Sequence, residues 1–190
     1  MTQIKLCGNF RLVDADYLNQ ARPDLAGIIL APDHRRSVDR DFAQNFRQQL
    51  RDDIPLVGVF VNPTLDEVRS YQGIIQYAQL HGQESENLVA AIQAAGLPVI
   101  KQMQPDQLET TQATMRLVDP GAGSGTSFNW QRLEDSTTPT ILAGGLNLDN
   151  LAQAITTAQP NYVDISSGSE VDGVKDLATM QALVQKVREL

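Results

Sequence analysis

One cysteine, Cys7, occurs in 190 residues, so neither an intramolecular disulfide nor a thiolate zinc cluster can form. Histidine is almost as scarce, at two residues, His34 and His81, which argues against a metal-dependent site built on histidines. No apolar run is long enough to span a bilayer. The opening MTQIKLCGNF lacks the charged n-region and long apolar stretch of a signal peptide, so a cytoplasmic location is expected. No low-complexity tract appears. Basic residues are in deficit, 15 against 23 acidic, for a formal net charge of −8. That balance argues against nucleic-acid and anionic-membrane surfaces, and no obligate protein partner is evident. An anionic ligand must then be drawn by local devices: helix N-termini, backbone N–H groups and a placed arginine.

What is present is an ordinary α/β composition, 42% hydrophobic with 5% aromatic residues. Short β-type runs alternate with helical periodicity. Strands are expected at 4–7, 26–31, 56–61, 77–80, 98–103, 115–119, 140–143 and 162–166, and helices at about 13–21, 40–51, 64–71, 84–95, 105–113, 128–134, 147–158 and 176–189. Asp14, Asp39, Asn62, Asp106, Asn147 and Asp176 are candidate N-cap or first-turn residues. Strand–helix alternation implies parallel pairing with right-handed crossovers, and eight units imply a closed (β/α)8 barrel in one domain, residues 1–190. The chain is short for that fold, since such barrels typically run ~250 residues. A flavodoxin-like sheet is the alternative, but leaves about three strands over.

In a barrel, chemistry collects at the C-terminal ends of the strands. Those ends here carry Cys7-Gly8, the loop PDHRRSV with His34, Arg35 and Arg36, then Asn62, His81, Asp119 and Asp164. The last two expected strands run into small-residue turns, Gly144-Gly145 and Ser166-Ser167-Gly168, which suit a phosphate held by backbone N–H groups. Taken singly, most of these residues have an ordinary account. A lone cysteine is a small apolar core residue, Asp119 before Pro120 opens a turn, His34 and the loop arginines are solvated, and His81 is a satisfied histidine beneath a loop. Asp164 is harder to dismiss, because alternation sets it on the face opposite Val163 and Ile165, where a carboxylate needs a partner. Together, a thiol, a carboxylate, an arginine and a phosphate cradle on one rim suit a proton-shuffling isomerisation.

The segments IKLCG at 4–8, RRSV at 35–38, LVGVFVN at 56–62, QLHG at 79–82, LVDPGAGSGTSFNW at 117–130, ILAGGLN at 141–147 and VDISSGSEVDGVKD at 163–176 span the chain. In this order they resemble the phosphoribosylanthranilate isomerases of tryptophan biosynthesis. The resemblance implies a (β/α)8 barrel that carries out an Amadori rearrangement on a small phosphorylated sugar, with no cofactor and no metal. It implies Cys7 as general base, Asp119 as general acid and Arg36 as partner of the substrate carboxylate. Gly123, Ser124, Gly144, Gly145, Ser166, Ser167 and Gly168 fall in segments matching the phosphate loops, and His81 and Asp164 match further positions on the rim. The chain departs from the family pattern at Asn9-Phe10, Pro120 and Ala122.

Two other classes of protein are weighed against this. A non-catalytic phosphate-binding barrel would have little reason to keep Cys7, Arg36 and Asp119 together. An indole-glycerol-phosphate synthase or ribulose-phosphate epimerase would need a catalytic lysine or metal-binding histidines at the rim. Lys5 lies on the Cys7 face of the first strand, one repeat deeper, where it either favours the thiolate or pairs with an inward carboxylate.

Overall fold

A computed structural model describes residues 1–104, 111–119 and 137–190. Eight parallel strands close into a barrel in chain order: β1 (Gln3–Leu6), β2 (Leu25–Ile29), β3 (Leu56–Phe60), β4 (Tyr77–Leu80), β5 (Val99–Met103), β6 (Met115–Val118), β7 (Thr140–Leu142) and β8 (Tyr162–Ile165). The helices among the described residues are α1 (Leu12–Ala21), α2 (Arg40–Gln49), α3 (Leu65–Arg69), α4 (Glu86–Ala94), α5 (Leu151–Ala158) and α6 (Leu177–Arg188). No helix among the described residues is long and apolar enough to cross a membrane.

The strands exist because both their faces are apolar and both are covered. One set of alternating positions, including Ile4, Leu6, Ala26, Ile28, Leu56, Leu80 and Val163, packs outward with Leu18, Phe46, Ile92 and Leu183 from the helices. The other set, including Leu25, Val57, Ile100, Leu117 and Ile141, forms a separate cluster inside the barrel. Fully burying each such side chain contributes roughly 1.5–3 kcal/mol. The inward set also contains Lys5, Cys7, Gln79 and Asp164, so the alternation that fills the barrel also aims polar groups into it.

Each strand lies within a residue or two of its expected bounds, but the caps differ in detail. Asp39 and Asp176 cap α2 and α6 by accepting from Phe42 N and Thr179 N. Asp14 sits in the first turn of α1 and takes the N–H groups of Phe10 and Arg11. Asn62 caps no helix; its side chain accepts from Gln83 N, and Thr64 with Glu67 caps α3 reciprocally. Asn147 likewise shapes a turn ahead of α5 instead of beginning the helix, which starts at Leu151. Of the helix expected over 105–113, residues 111–113 are not helical and 105–110 lie outside the described residues, as do Asp106 and the helix expected over 128–134. After β8 comes a feature the periodicity does not announce: a 3-10 turn (Ser167–Ser169) and a hairpin of β9 (Glu170–Val171) and β10 (Val174–Lys175).

Candidate active site

A cavity of about 680 Å³ opens at the C-terminal ends of the strands. Cys7, Arg36, His81, Asp119, Gly144, Gly145, Asp164, Ser166 and Ser167 all border it, so the structure brings together most of the residues singled out from the sequence. Gly168 stands just behind the wall, and Gly123 and Ser124 lie outside the described residues, as do Pro120 and Ala122.

Cys7 follows directly on β1, buried, with its N–H donated to Ile165 O at 2.9 Å. The β1–β2 register brings Gly27 alongside it. A Cβ on Gly27 would lie 2.6 Å from Sγ, so the missing side chain makes the room the thiol occupies. The next turn is held by Asn9, one of the departures from the family pattern. Its side-chain amide donates to Leu6 O at 3.0 Å and Gly27 O at 2.9 Å.

Lys5 lies beneath, fully buried, its Nζ 2.7 Å from Asp164 Oδ2. The open question about Lys5 is thus resolved by an ion pair with an inward carboxylate. Burial alone would lower the Lys5 pKa, but Asp164 and the Cys7 thiol outweigh it and the lysine stays charged. Around Cys7 the balance goes the other way. Burial pushes the thiol up; Lys5 and Lys175 oppose this, Asp164 reinforces it, and the thiol ends above its ordinary value. Asp164 and Gln79 border the cavity, and their buried Oδ1 and Oε1 have no hydrogen-bond partner among the described residues. They are acceptors ready for ligand hydroxyls.

On the opposite side of the rim, Asp119 follows β6 and its Oδ2 lies 3.7 Å from His81 Nε2. His81 is positioned by its own loop. The buried Glu84 carboxylate accepts from Gly82 N and Asn62 N and pairs with Lys101 Nζ at 2.6 Å. His34, expected to be solvated, is exposed, but its Nδ1 also accepts from Arg36 N at 3.1 Å. Burial, Arg36 and Arg35 lower its pKa.

Arg36 projects from the loop after β2 with only 9% of its side chain exposed. Nη1 donates to Ser166 Oγ at 2.9 Å. Glu170 Oε1 lies 2.7 Å from Nε. Among the described residues nothing accepts a hydrogen bond from Nη2, which leaves that nitrogen for an anion. Glu170 also pairs with Arg35 and Lys175. Burial would raise its pKa, but Arg35, Lys175 and Arg36 hold it below the ordinary carboxylate value. Burial brings the Lys175 ammonium down to about 8 against the pull of Glu170 and Cys7. Neither Glu170 nor Lys175 was singled out from the sequence.

The two small-residue turns meet. A Cβ on Gly168 would fall 2.0 Å from Leu146 O, so glycine there lets the turn after β8 pack directly on the turn after β7. Gly144 and Gly145 adopt positive φ of 93° and 65°. Among the described residues, no hydrogen bond engages the N–H groups of Gly144, Gly145, Ser167 or Gly168. Clustered donors of this kind fit an oxyanion such as phosphate.

Fold and site define the class: a (β/α)8-barrel protein whose cavity is fitted for an anionic ligand, with a thiol and a carboxylate on well-separated strands around it. The family model described as N-(5'phosphoribosyl)anthranilate (PRA) isomerase matches residues 4–186. The N-(5'-phosphoribosyl)anthranilate isomerase of Lactiplantibacillus plantarum is 39% identical over 194 residues, covering 100% of this chain and 93% of that protein. The isomerase of Clostridium acetobutylicum is 32% identical over 204 residues, covering 100% and 99%. Among solved structures, the phosphoribosyl anthranilate isomerase of Thermus thermophilus superposes with a TM-score of 0.86 at 29% identity, covering 99% of each chain. A phosphoribosyl anthranilate isomerase in complex with reduced 1-(o-carboxyphenylamino)-1-deoxyribulose 5-phosphate gives 0.82 at 25% identity, covering 100% of each. The chain belongs to the N-(5'-phosphoribosyl)anthranilate isomerase family.

Proposed function

We propose that the chain converts N-(5-phosphoribosyl)anthranilate to 1-(2-carboxyphenylamino)-1-deoxyribulose 5-phosphate, the aldose–ketose isomerisation of tryptophan biosynthesis, with Cys7 as general base and Asp119 as general acid. The observation that carries this reading is that Cys7, Asp119, Arg36 and both glycine- and serine-rich turns border one cavity. The solved relative described above holds a ligand with a phosphate and a carboxylate, the two anionic groups this cavity is fitted for. The setting is cytoplasmic, and no cofactor, metal, nucleic acid, membrane or obligate protein partner enters the reaction.

In this reading Asp119 gives its proton to the ribose ring oxygen as the ring C1–O bond opens, leaving a Schiff base at C1. The protonated Schiff base acidifies the C2–H and sets a cation near Cys7, which favours the thiolate where burial disfavours it. The thiolate takes the C2 proton. The resulting enolamine gains a proton at C1 and loses the C2 hydroxyl proton, giving the ketone with no net change in protons. Each positioned acid or base contributes ~10²–10⁴-fold.

Arg36, held by Ser166 at Nη1 and by Glu170 at Nε, offers Nη2 to the anthranilate carboxylate, a fixed planar donor that lysine cannot copy. Gly144, Gly145, Ser166, Ser167 and Gly168, with Gly123 and Ser124, hold the phosphate, while Asp164 and Gln79 accept from sugar hydroxyls and His81 lies against Asp119. Turnover of freshly made substrate by the wild type and by Cys7→Ala and Asp119→Ala tests the assignment. Each variant is expected to lose turnover while still binding the reduced product analogue. Full activity in both would overturn the assignment, as would failure of the wild type to rescue a tryptophan auxotroph lacking this step.

A further inference from the structure

Glu170 gathers three cations from two segments far apart in the chain. Its Oε2 lies 2.5 Å from Arg35 Nη2, and its Oε1 lies 2.7 Å from Arg36 Nε and 3.3 Å from Lys175 Nζ. The hairpin that carries it is tied to the same loop a second time, through Arg35 Nη1 and Gly173 O at 3.0 Å. Only 4% of the Glu170 side chain is exposed, so its charge is little screened by solvent.

From this geometry we infer that Glu170 is the positioning residue for Arg36, and that it sets the preference of the site for ligands bearing a carboxylate. The inference rests on the role proposed above for Arg36. A free arginine side chain populates many rotamers, and ordering it on binding weakens affinity. Here the guanidinium is fixed beforehand at two points: Nη1 by Ser166 Oγ, and the Nε side by the charge of Glu170. With Nη1 and the Nε side both taken, Glu170 restrains the group while Nη2, which has no acceptor among the described residues, is left for a ligand. Charge counting agrees. Arg35, Arg36 and Lys175 against one carboxylate leave a local surplus of two positive charges in a protein of net charge −8. That surplus accommodates a second carboxylate beside the first.

The competing account is that Glu170 only neutralises buried cations. The two are separated by two ligands and two variants in calorimetric titrations: reduced 1-(o-carboxyphenylamino)-1-deoxyribulose 5-phosphate, and its counterpart with hydrogen in place of the carboxylate. Glu170→Gln removes the charge. Glu170→Asp keeps the charge and withdraws the acceptor by about one bond length. For Glu170→Gln, Kd for the carboxylate ligand is expected to rise roughly tenfold, the worth of one charged contact, with no change for the counterpart. For Glu170→Asp a smaller rise with the same selectivity is expected, and this variant decides the matter if Glu170→Gln does not fold. Equal losses for both ligands, no loss, or tighter binding of the carboxylate ligand would each overturn the inference. A wild type that does not distinguish the two ligands would instead refute the carboxylate role of Arg36, and this inference with it.

Discussion

To act as the base proposed above, Cys7 must be a thiolate, yet burial pushes its thiol above the ordinary value. The groups around it define the compromise: Lys5 and Lys175 favour ionisation and Asp164 opposes it. In the free protein the thiolate is therefore the minor form at neutral pH, and the rate at which iodoacetamide alkylates Cys7 is expected to keep rising with pH beyond the range where an unperturbed thiol is already ionised. Lys5→Met removes the largest opposing cation and leaves Asp164 beside the sulfur, so it is expected to move that rise further to alkaline pH. As Cys7 is the single thiol in the chain, thiol alkylation reports on it alone. A rise that does not move in Lys5→Met, or that is complete below the ordinary thiol value, would refute this picture. The presence of Cys7, Lys5 and Asp164 on one face was readable from alternation alone. Their pairing was not, because a lysine and a carboxylate 159 positions apart meet only when β1 closes onto β8.

At the scale of elements, the expected strands held well because each is an apolar run bounded by turn residues, and such runs have few alternatives once a parallel barrel is assumed. What escaped notice is the β9–β10 hairpin, although Asp172-Gly173 between Val171 and Val174 is a hairpin signal of the usual kind. At two residues per strand it is too short for periodicity to register, and its importance lies in Glu170, whose partners Arg35 and Arg36 sit on the loop after β2. The two turns proposed to hold phosphate were more legible, since each carries its own glycines. What only the coordinates add is that they are one unit, with Gly168 packed on Leu146 O. A methyl group there has no flexible side chain to displace, so Gly168→Ala must push the two turns apart. Competitive inhibition by inorganic phosphate is expected to weaken about tenfold, as if one charge-assisted hydrogen bond were lost, and the thermal midpoint to fall by several degrees, since such overpacking costs roughly 1–3 kcal/mol. An unchanged inhibition constant would show that the N–H groups of the two turns do not act together.

For the molecule as a whole, an acidic chain that receives a doubly anionic substrate has to concentrate positive charge locally, and part of that charge is bought against stability. Lys175 is the clearest case. Its ammonium is buried among Ser166 O, Ser169 Oγ and Glu170, and its pKa is about 8 against the ordinary 10.5. Between those values the unfolded chain binds more protons than the folded one, so this residue makes stability rise with pH from about 8 to about 10.5. The full increment, at 1.36 kcal/mol per pKa unit, is about 3 kcal/mol. Cys7 acts in the opposite sense. Its raised pKa stabilises the folded state below the ordinary thiol value, and that contribution fades as pH climbs through the raised one. Lys5, with a raised value of its own, likewise loses its contribution only at still higher pH. The wild-type profile therefore blends opposing slopes, and the difference between wild type and Lys175→Met isolates the lysine. Urea midpoints measured from neutral pH upward are expected to favour Lys175→Met at neutral pH, with the two proteins converging as Lys175 loses its proton in the wild type. A gap that stays constant with pH would mean that the ammonium is fully compensated by Glu170 and its neighbours, and that the positive cluster is held without cost to the fold.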